Sequence, residues 1–317
     1  MKEYIIGKNE ANQRADKLIQ KILSDASVGF IYKMLRKKNI TLNDSKLTGK
    51  ELLSEGDSLK FWLSDETFVK FKGTDKANAA GTLKMSKLPV LPVVYEDDDI
   101  IVFNKPSGLL SQKASPSDIS VNDCLLNYLI TNNKISKEQL ETFTPSICNR
   151  LDRNTSGLII CGKSLAGLQT VAGELKAHEC KKDYLAIVSG KVSCGDSIKG
   201  YLFKDEINNK VTISEKGDIG SYIETEYKPI WCDARSTGLI VRIITGKTHQ
   251  IRAHLSSIGH PINSDIKYGS TVKRGRLQLH AYQLTLKDGR KFTAPMPEDF
   301  KWEHSSPEDF EAVSWKI

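Results

Sequence analysis

The chain is expected to be an α+β protein: a small N-terminal α/β module followed by a larger domain built on a mostly antiparallel, mixed sheet. Three observations predict this. Two helical periods precede short strands in the first 66 residues, a lysine-rich stretch of no clear period follows, and residues 196–243 alternate short strands with polar turns. At 317 residues there is room for two domains with separate cores.

Hydrophobic residues make up 39% and charged residues 27% of the chain, which is ordinary for a water-soluble protein. No run of 18 apolar residues occurs, so no membrane-spanning helix is expected. The start, Met1-Lys2-Glu3-Tyr4-Ile5, is too polar for a signal peptide. The net charge of +7 permits a polyanionic partner without requiring one. Six cysteines, none in Cys-x-x-Cys spacing, exclude a zinc knuckle and point to reduced thiols in a cytoplasmic setting.

In the module at 1–66, Leu18, Ile19, Ile22 and Leu23 recur at helical spacing. Ser27 is a candidate N-cap for a second helix with Ile31, Met34 and Leu35 inward and Lys33, Arg36, Lys37 and Lys38 outward. Ile40-Thr41-Leu42 and Ser58 to Leu63 read as strands, the latter after the turn Glu55-Gly56-Asp57. Residues 67–90, with five lysines and one aspartate, read as a flexible basic linker.

The large domain, 91–317, opens with the strand Ile100 to Asn104 and the turn Lys105-Pro106-Ser107-Gly108. Helices are expected at Val121 to Ile130 and Leu165 to Ala177, and strands at Lys181 to Val192, Val211 to Ile213, Tyr222 to Tyr227 and Leu239 to Ile244. A turn at Gly246 is expected to open a helix carrying Lys247, Thr248, His249, Arg252 and His254 in its first turns, an end suited to anions. Two histidines five apart lack a third ligand at zinc spacing, so no metal is expected.

The most informative stretch is Asn149 to Ser164. It sets Asp152 between Arg150 and Arg153, follows them with the polar turn Asn154-Thr155-Ser156-Gly157, and ends in the apolar run Leu158 to Cys161. Flanking positive charge favours an ionised Asp152, and the apolar run reads as a buried strand that supports it. On these residues alone, a solvated surface cluster fits equally well.

Arg150-Leu151-Asp152-Arg153 with Thr155-Ser156-Gly157-Leu158 resembles the signature of the RluA-type pseudouridine synthases. Asp99 to Leu109 resembles that family's opening motif, Tyr184 its second-motif tyrosine, and Thr245 to His254 its third motif, continued by Gly259-His260-Pro261-Ile262, Asp265 and Tyr268-Gly269. Arg14-Ala15-Asp16-Lys17-Leu18, the basic second helix and Gly56-Asp57-Ser58-Leu59 resemble the S4 RNA-binding domain. Two positions depart from the family pattern: Asn149 stands where His is usual and Asn154 where Asp is usual.

The resemblance implies the pseudouridine synthase fold and isomerisation of uridine in RNA, with large-subunit ribosomal RNA as the substrate. Asp152 would be the catalytic residue, Arg252 its ion-pair partner and Tyr184 the ring against the base. Arg150, Arg153 and Lys247, with Lys33, Arg36 and Lys37 of the module, are candidate RNA contacts. Leu151 and Ile251 are read as packing residues. The isomerisation involves no net redox change, and the sequence carries no Gly-x-Gly-x-x-Gly after a strand and no P-loop, so no cofactor is expected. A monomer is the default. The alternative from another class is a non-catalytic RNA-binding or ribosome-assembly factor; a uracil-releasing glycosidase is a third reading.

Overall fold

The computed structural model describes residues 1–72, 88–205, 210–214 and 220–302. Two sheets organise it, one of four strands and one of eleven.

The small sheet, in the order β1-β4-β2-β3, is formed by β1 (Lys2–Ile5), β2 (Ile40–Leu42), β3 (Ser45–Lys46) and β4 (Ser58–Phe61). Helices α1 (Ala15–Ile22) and α2 (Val28–Arg36) pack their apolar faces on it. Ser27 caps α2 by accepting from the Phe30 N–H at 3.2 Å, as its position before the apolar period predicts. Lys33, Arg36, Lys37 and Lys38 are exposed.

The expected linker starts too early. Residues 65–72 form helix α3 (Asp65–Lys72), with acids in its first turn and lysines in its last, a charge order that suits the helix dipole. Its Phe68 is buried against Tyr4 and Phe61, and Phe71 lies 4.3 Å from Phe30, so this segment belongs to the first module. The rest of the expected linker up to residue 87 lies outside the described residues.

The large sheet runs β11-β10-β12-β13-β9-β14-β8-β6-β5. Its strands are β5 (Val93–Glu96), β6 (Ile100–Lys105), β8 (Ser156–Gly162), β9 (Lys181–Ser189), β10 (Asp196–Asp205), β11 (Lys210–Ser214), β12 (Ser221–Cys232), β13 (Ser236–Ile243) and β14 (Leu279–Thr285). Two short strands, β7 (Ser146–Ile147) and β15 (Lys291–Thr293), pair with β8 and β14. Every pairing is antiparallel except β14 with β8, so the sheet is mixed and mostly antiparallel. Helices α4 (Val121–Thr131), α5 (Lys137–Thr142), α6 (Leu165–Lys176) and α7 (Gln250–Ser257) flank it.

Strand β14 lies centrally, between β9 and β8. The parallel junction there is tight. At Gly157, with φ of 114°, a Cβ would stand 2.2 Å from the Ala281 carbonyl oxygen, so only glycine fits. That junction places the end of the Asp152 loop against the strand that also borders Tyr184.

The first module touches the large domain directly. Thr142 of α5 donates to Glu10, Lys72 pairs with Glu141 at 2.9 Å, and the Leu165 N–H donates to Asn9 at 3.3 Å.

Candidate active site

Asp152 sits in the loop before β8, which is buried along its whole length. The loop is fastened from below. Lys105, at the end of β6, is fully buried and its ammonium donates to the carbonyls of Pro106, Leu109 and Arg153 at 2.8–3.1 Å. Three acceptors match the three N–H groups of a lysine. Burial pulls Lys105 down to about 7, opposed by the Asp152 charge and reinforced by Arg276. Ser111 accepts from the Leu151 N–H and donates to the Leu151 carbonyl, at 3.0 and 2.7 Å. The Thr155 N–H closes a turn onto the Asp152 carbonyl at 3.1 Å.

Asn149 replaces the expected histidine with a side chain that holds the same loop. Its amide oxygen accepts from the Ile160 N–H at 2.8 Å and its amide nitrogen donates to the Leu158 carbonyl at 3.3 Å. Asn154 is exposed, and its carbonyl accepts from Ser107.

Arg252 comes from α7, in a different part of the chain, and meets Asp152 with Nη1 3.0 Å from Oδ2. The other face of its guanidinium is held by Asp265, through Nε at 2.7 Å and Nη2 at 2.9 Å. Burial works against the Arg252 charge, but Asp265 and then Asp152 outweigh it, so its proton is held more tightly than usual. Tyr268 lies beneath the guanidinium, with its ring centre 4.9 Å from Cζ.

Tyr184, on β9, is buried in one cluster with Leu151, Ile251, Leu279 and Ala281. Burial pushes its phenol above the ordinary range, and the charges of Asp152 and then Asp183 add to this, so it keeps its proton at neutral pH. Leu151 and Ile251 are thus packing residues beside these groups.

Helix α7 starts later than the sequence suggests. The Gln250 side chain accepts from Thr245 at 2.8 Å and from the Lys247 N–H at 3.1 Å, and donates to the Glu224 carbonyl, which holds 245–247 as a loop. Lys247 and Thr248 therefore stand outside the helix and are exposed, and His249 is its N-cap in the left-handed conformation. His249 and His254 diverge. His249 faces Asp152, with Nε2 3.7 Å from Oδ2, while His254 is buried against Thr225 and its imidazole is lowered by burial to about 4.

Arg150 and Arg153 are exposed beside Asp152, and Arg153 also donates to the Gly108 carbonyl at 3.1 Å. Lys33, Arg36 and Lys37 lie on the separate surface of α2. The sequence reading assigned no role to Asp265, His249 or Tyr268. The signal was present in the stretch from Gly259 to Gly269, but only folding shows that it returns to the Asp152 loop.

The mixed sheet thus carries one carboxylate on a braced loop, clasped by a guanidinium and flanked by exposed arginines, a candidate site for chemistry on a polyanion. The chain belongs to the RNA pseudouridylate synthase family, whose sequence profile matches residues 99–257. It is 33% identical over 263 residues to a ribosomal large subunit pseudouridine synthase D of Borreliella burgdorferi, covering 78% of each chain. It is 29% identical over 303 residues to a ribosomal large subunit pseudouridine synthase C of Vibrio vulnificus, covering 92% of this chain and 89% of the relative. Among solved structures, human RNA pseudouridylate synthase domain containing 4 superimposes with a TM-score of 0.54 at 19% identity, over 70% of this chain and 94% of that one. Human RNA pseudouridylate synthase domain containing 1 gives 0.52 at 21%, over 65% and 84%. These two likenesses concern the fold.

Proposed function

We propose that this protein isomerises uridine to pseudouridine in large-subunit ribosomal RNA, as a cytoplasmic monomer, with Asp152 as the reacting carboxylate. The observation that carries the reading is the 3.0 Å pair of Asp152 and Arg252 beside the buried Tyr184. The names of the relatives support the choice of RNA.

The reaction detaches uracil from C1′ of its ribose, turns it, and rejoins it through C5. It needs a carboxylate at the glycosidic bond, a surface for the freed base and exclusion of water. Asp152 acts at the ribose, either by attacking C1′ or by stabilising positive charge there and removing a ribose proton. Arg252, gripped from behind by Asp265, keeps the carboxylate oriented. Tyr184 offers a flat apolar face for the base and an O–H as donor, burial favouring the protonated phenol.

The uridine must leave its stack to reach this floor, so the target is flipped or single-stranded. Arg150, Arg153 and Lys247 contact phosphates around it. Lys33, Arg36 and Lys37 on α2 hold the RNA farther away, as an S4-like module would.

The test is Asp152→Asn assayed by tritium release from C5 of labelled uridine and by nucleoside mass analysis. The expected result is no pseudouridine with RNA binding largely retained. Full turnover by the variant sinks the assignment. Free uracil from the intact protein would point instead to a glycosidase.

A further inference from the structure

The side chains behind Asp152 hold a second device, built from His249 and Tyr268. The Tyr268 hydroxyl accepts from the Val211 N–H at 3.1 Å and lies 2.9 Å from Nδ1 of His249. Tyr268 is buried, and among the described residues its hydroxyl has no other hydrogen-bond partner. The hydroxyl hydrogen therefore goes to Nδ1, which must be an unprotonated acceptor. The imidazole is then neutral, with its single proton on Nε2. That Nε2 faces Oδ2 of Asp152 at 3.7 Å, the oxygen already bonded by Arg252. Among the described residues, Oδ1 has no hydrogen-bond partner.

The backbone supports a selected orientation. His249 has φ of 57°, a left-handed conformation that costs a non-glycine residue about 1–2 kcal/mol. Its ring also stands edge-on to Tyr268, at 5.6 Å between centres.

We propose that His249, fixed by Tyr268 with its proton on Nε2, is a positioning residue for Asp152: with Arg252 it occupies Oδ2, so that Oδ1 is the oxygen presented to the ribose. The 3.7 Å separation is longer than a hydrogen bond, and the role requires it to shorten when substrate is bound. This inference rests on Asp152 being the catalytic acid.

The arrangement has a pH dependence. A proton on Nδ1 would displace the Tyr268 hydrogen and strand it in a buried place. Burial opposes the protonated form, as do Arg252 and Lys267, while Asp152 and Asp265 favour it; the balance keeps His249 below the ordinary histidine range. The Lys210 ammonium lies over the Tyr268 ring, at 5.8 Å from its centre. Activity should therefore fall on the acid side as His249 gains its second proton. The Tyr268 bond favours the neutral imidazole, so removing the hydroxyl should move that acid limb to higher pH.

The experiment measures single-turnover tritium release against pH, together with RNA affinity, for the intact chain and for Tyr268→Phe, His249→Gln and Asp152→Asn. Tyr268→Phe keeps the ring under Arg252 and should shift the acid limb up by about 0.5–1 pH unit, the worth of one ordinary hydrogen bond. His249→Gln keeps an N–H near Oδ2 but cannot titrate, so the rate it shows should lack the His249 limb. Acid limbs that superimpose on the parent's in both variants overturn the proposal, as does loss of RNA affinity in parallel with rate. Turnover by Asp152→Asn would instead remove the catalytic reading beneath it; an inactive Asp152→Asn alongside unchanged His249 and Tyr268 variants would remove this inference alone.

Discussion

Asp265 grips Arg252 through two nitrogens, at 2.7 and 2.9 Å, and leaves only Nη1 of the guanidinium to reach Asp152. Asp265 is almost fully buried, so the pair is both an anchor and a liability. Asp265→Ala leaves the buried Arg252 with Asp152 as its remaining carboxylate partner and should lower stability by no more than about 3–5 kcal/mol. Urea unfolding measures this; a loss within experimental error would show that Arg252 finds another partner.

The parallel junction between β8 and β14 depends on one absent side chain. Gly157→Ala brings a methyl group onto the Ala281 carbonyl and forces a strained φ. The expected cost is at least about 1–3 kcal/mol, with a drop in turnover because the Asp152 loop shifts. Thermal unfolding and tritium release test this together, and wild-type values in both would contradict the tight packing.

Glu96 should dominate acid sensitivity near the outer edge of the large sheet. Burial raises its pKa, but bonds from Lys134, Lys163 and Tyr128 outweigh this and hold it at about 2. A folded value below the unfolded one contributes stability that is complete above about pH 4.5 and lost as pH falls towards 2. Glu96→Gln should remove that part of the acid limb, by no more than about 3 kcal/mol. Denaturation curves at pH 3 and pH 6 provide the comparison.

The exposed face of α2 makes a separate prediction. Replacing Lys33, Arg36 and Lys37 together by glutamine should weaken RNA binding and flatten its salt dependence by roughly two to three in log–log slope. Folding should be unaffected, since all three side chains are exposed. An unchanged slope would remove the first module from the RNA-binding surface.

Local patterns were legible where short-range chemistry decides. Ser27 before Ile31, Met34 and Leu35 marked α2, and the apolar run after Gly157 marked the buried β8. The reading failed where a distant partner overrides the local signal. Phe68 joins α3 to the first module because Tyr4 and Phe61 wait for it, and no residue between 67 and 72 announces that. Helix α7 starts at Gln250 because the Gln250 side chain ties back to Thr245 and Glu224, leaving Lys247 in a loop.

By itself the sequence determined the α+β class and the order of the motifs, because these rest on residue type and spacing, and the resemblance those motifs carry singled out Asp152, Tyr184 and Arg252 as candidates. The tertiary structure alone decided that Asp265 anchors the guanidinium, that Lys105 braces the loop from inside, and that His249 and Tyr268 stand behind the carboxylate. Those contacts join positions up to about a hundred residues apart, and hydrogen-bond geometry between such groups exists only once the sheet has brought β6, β8 and α7 together.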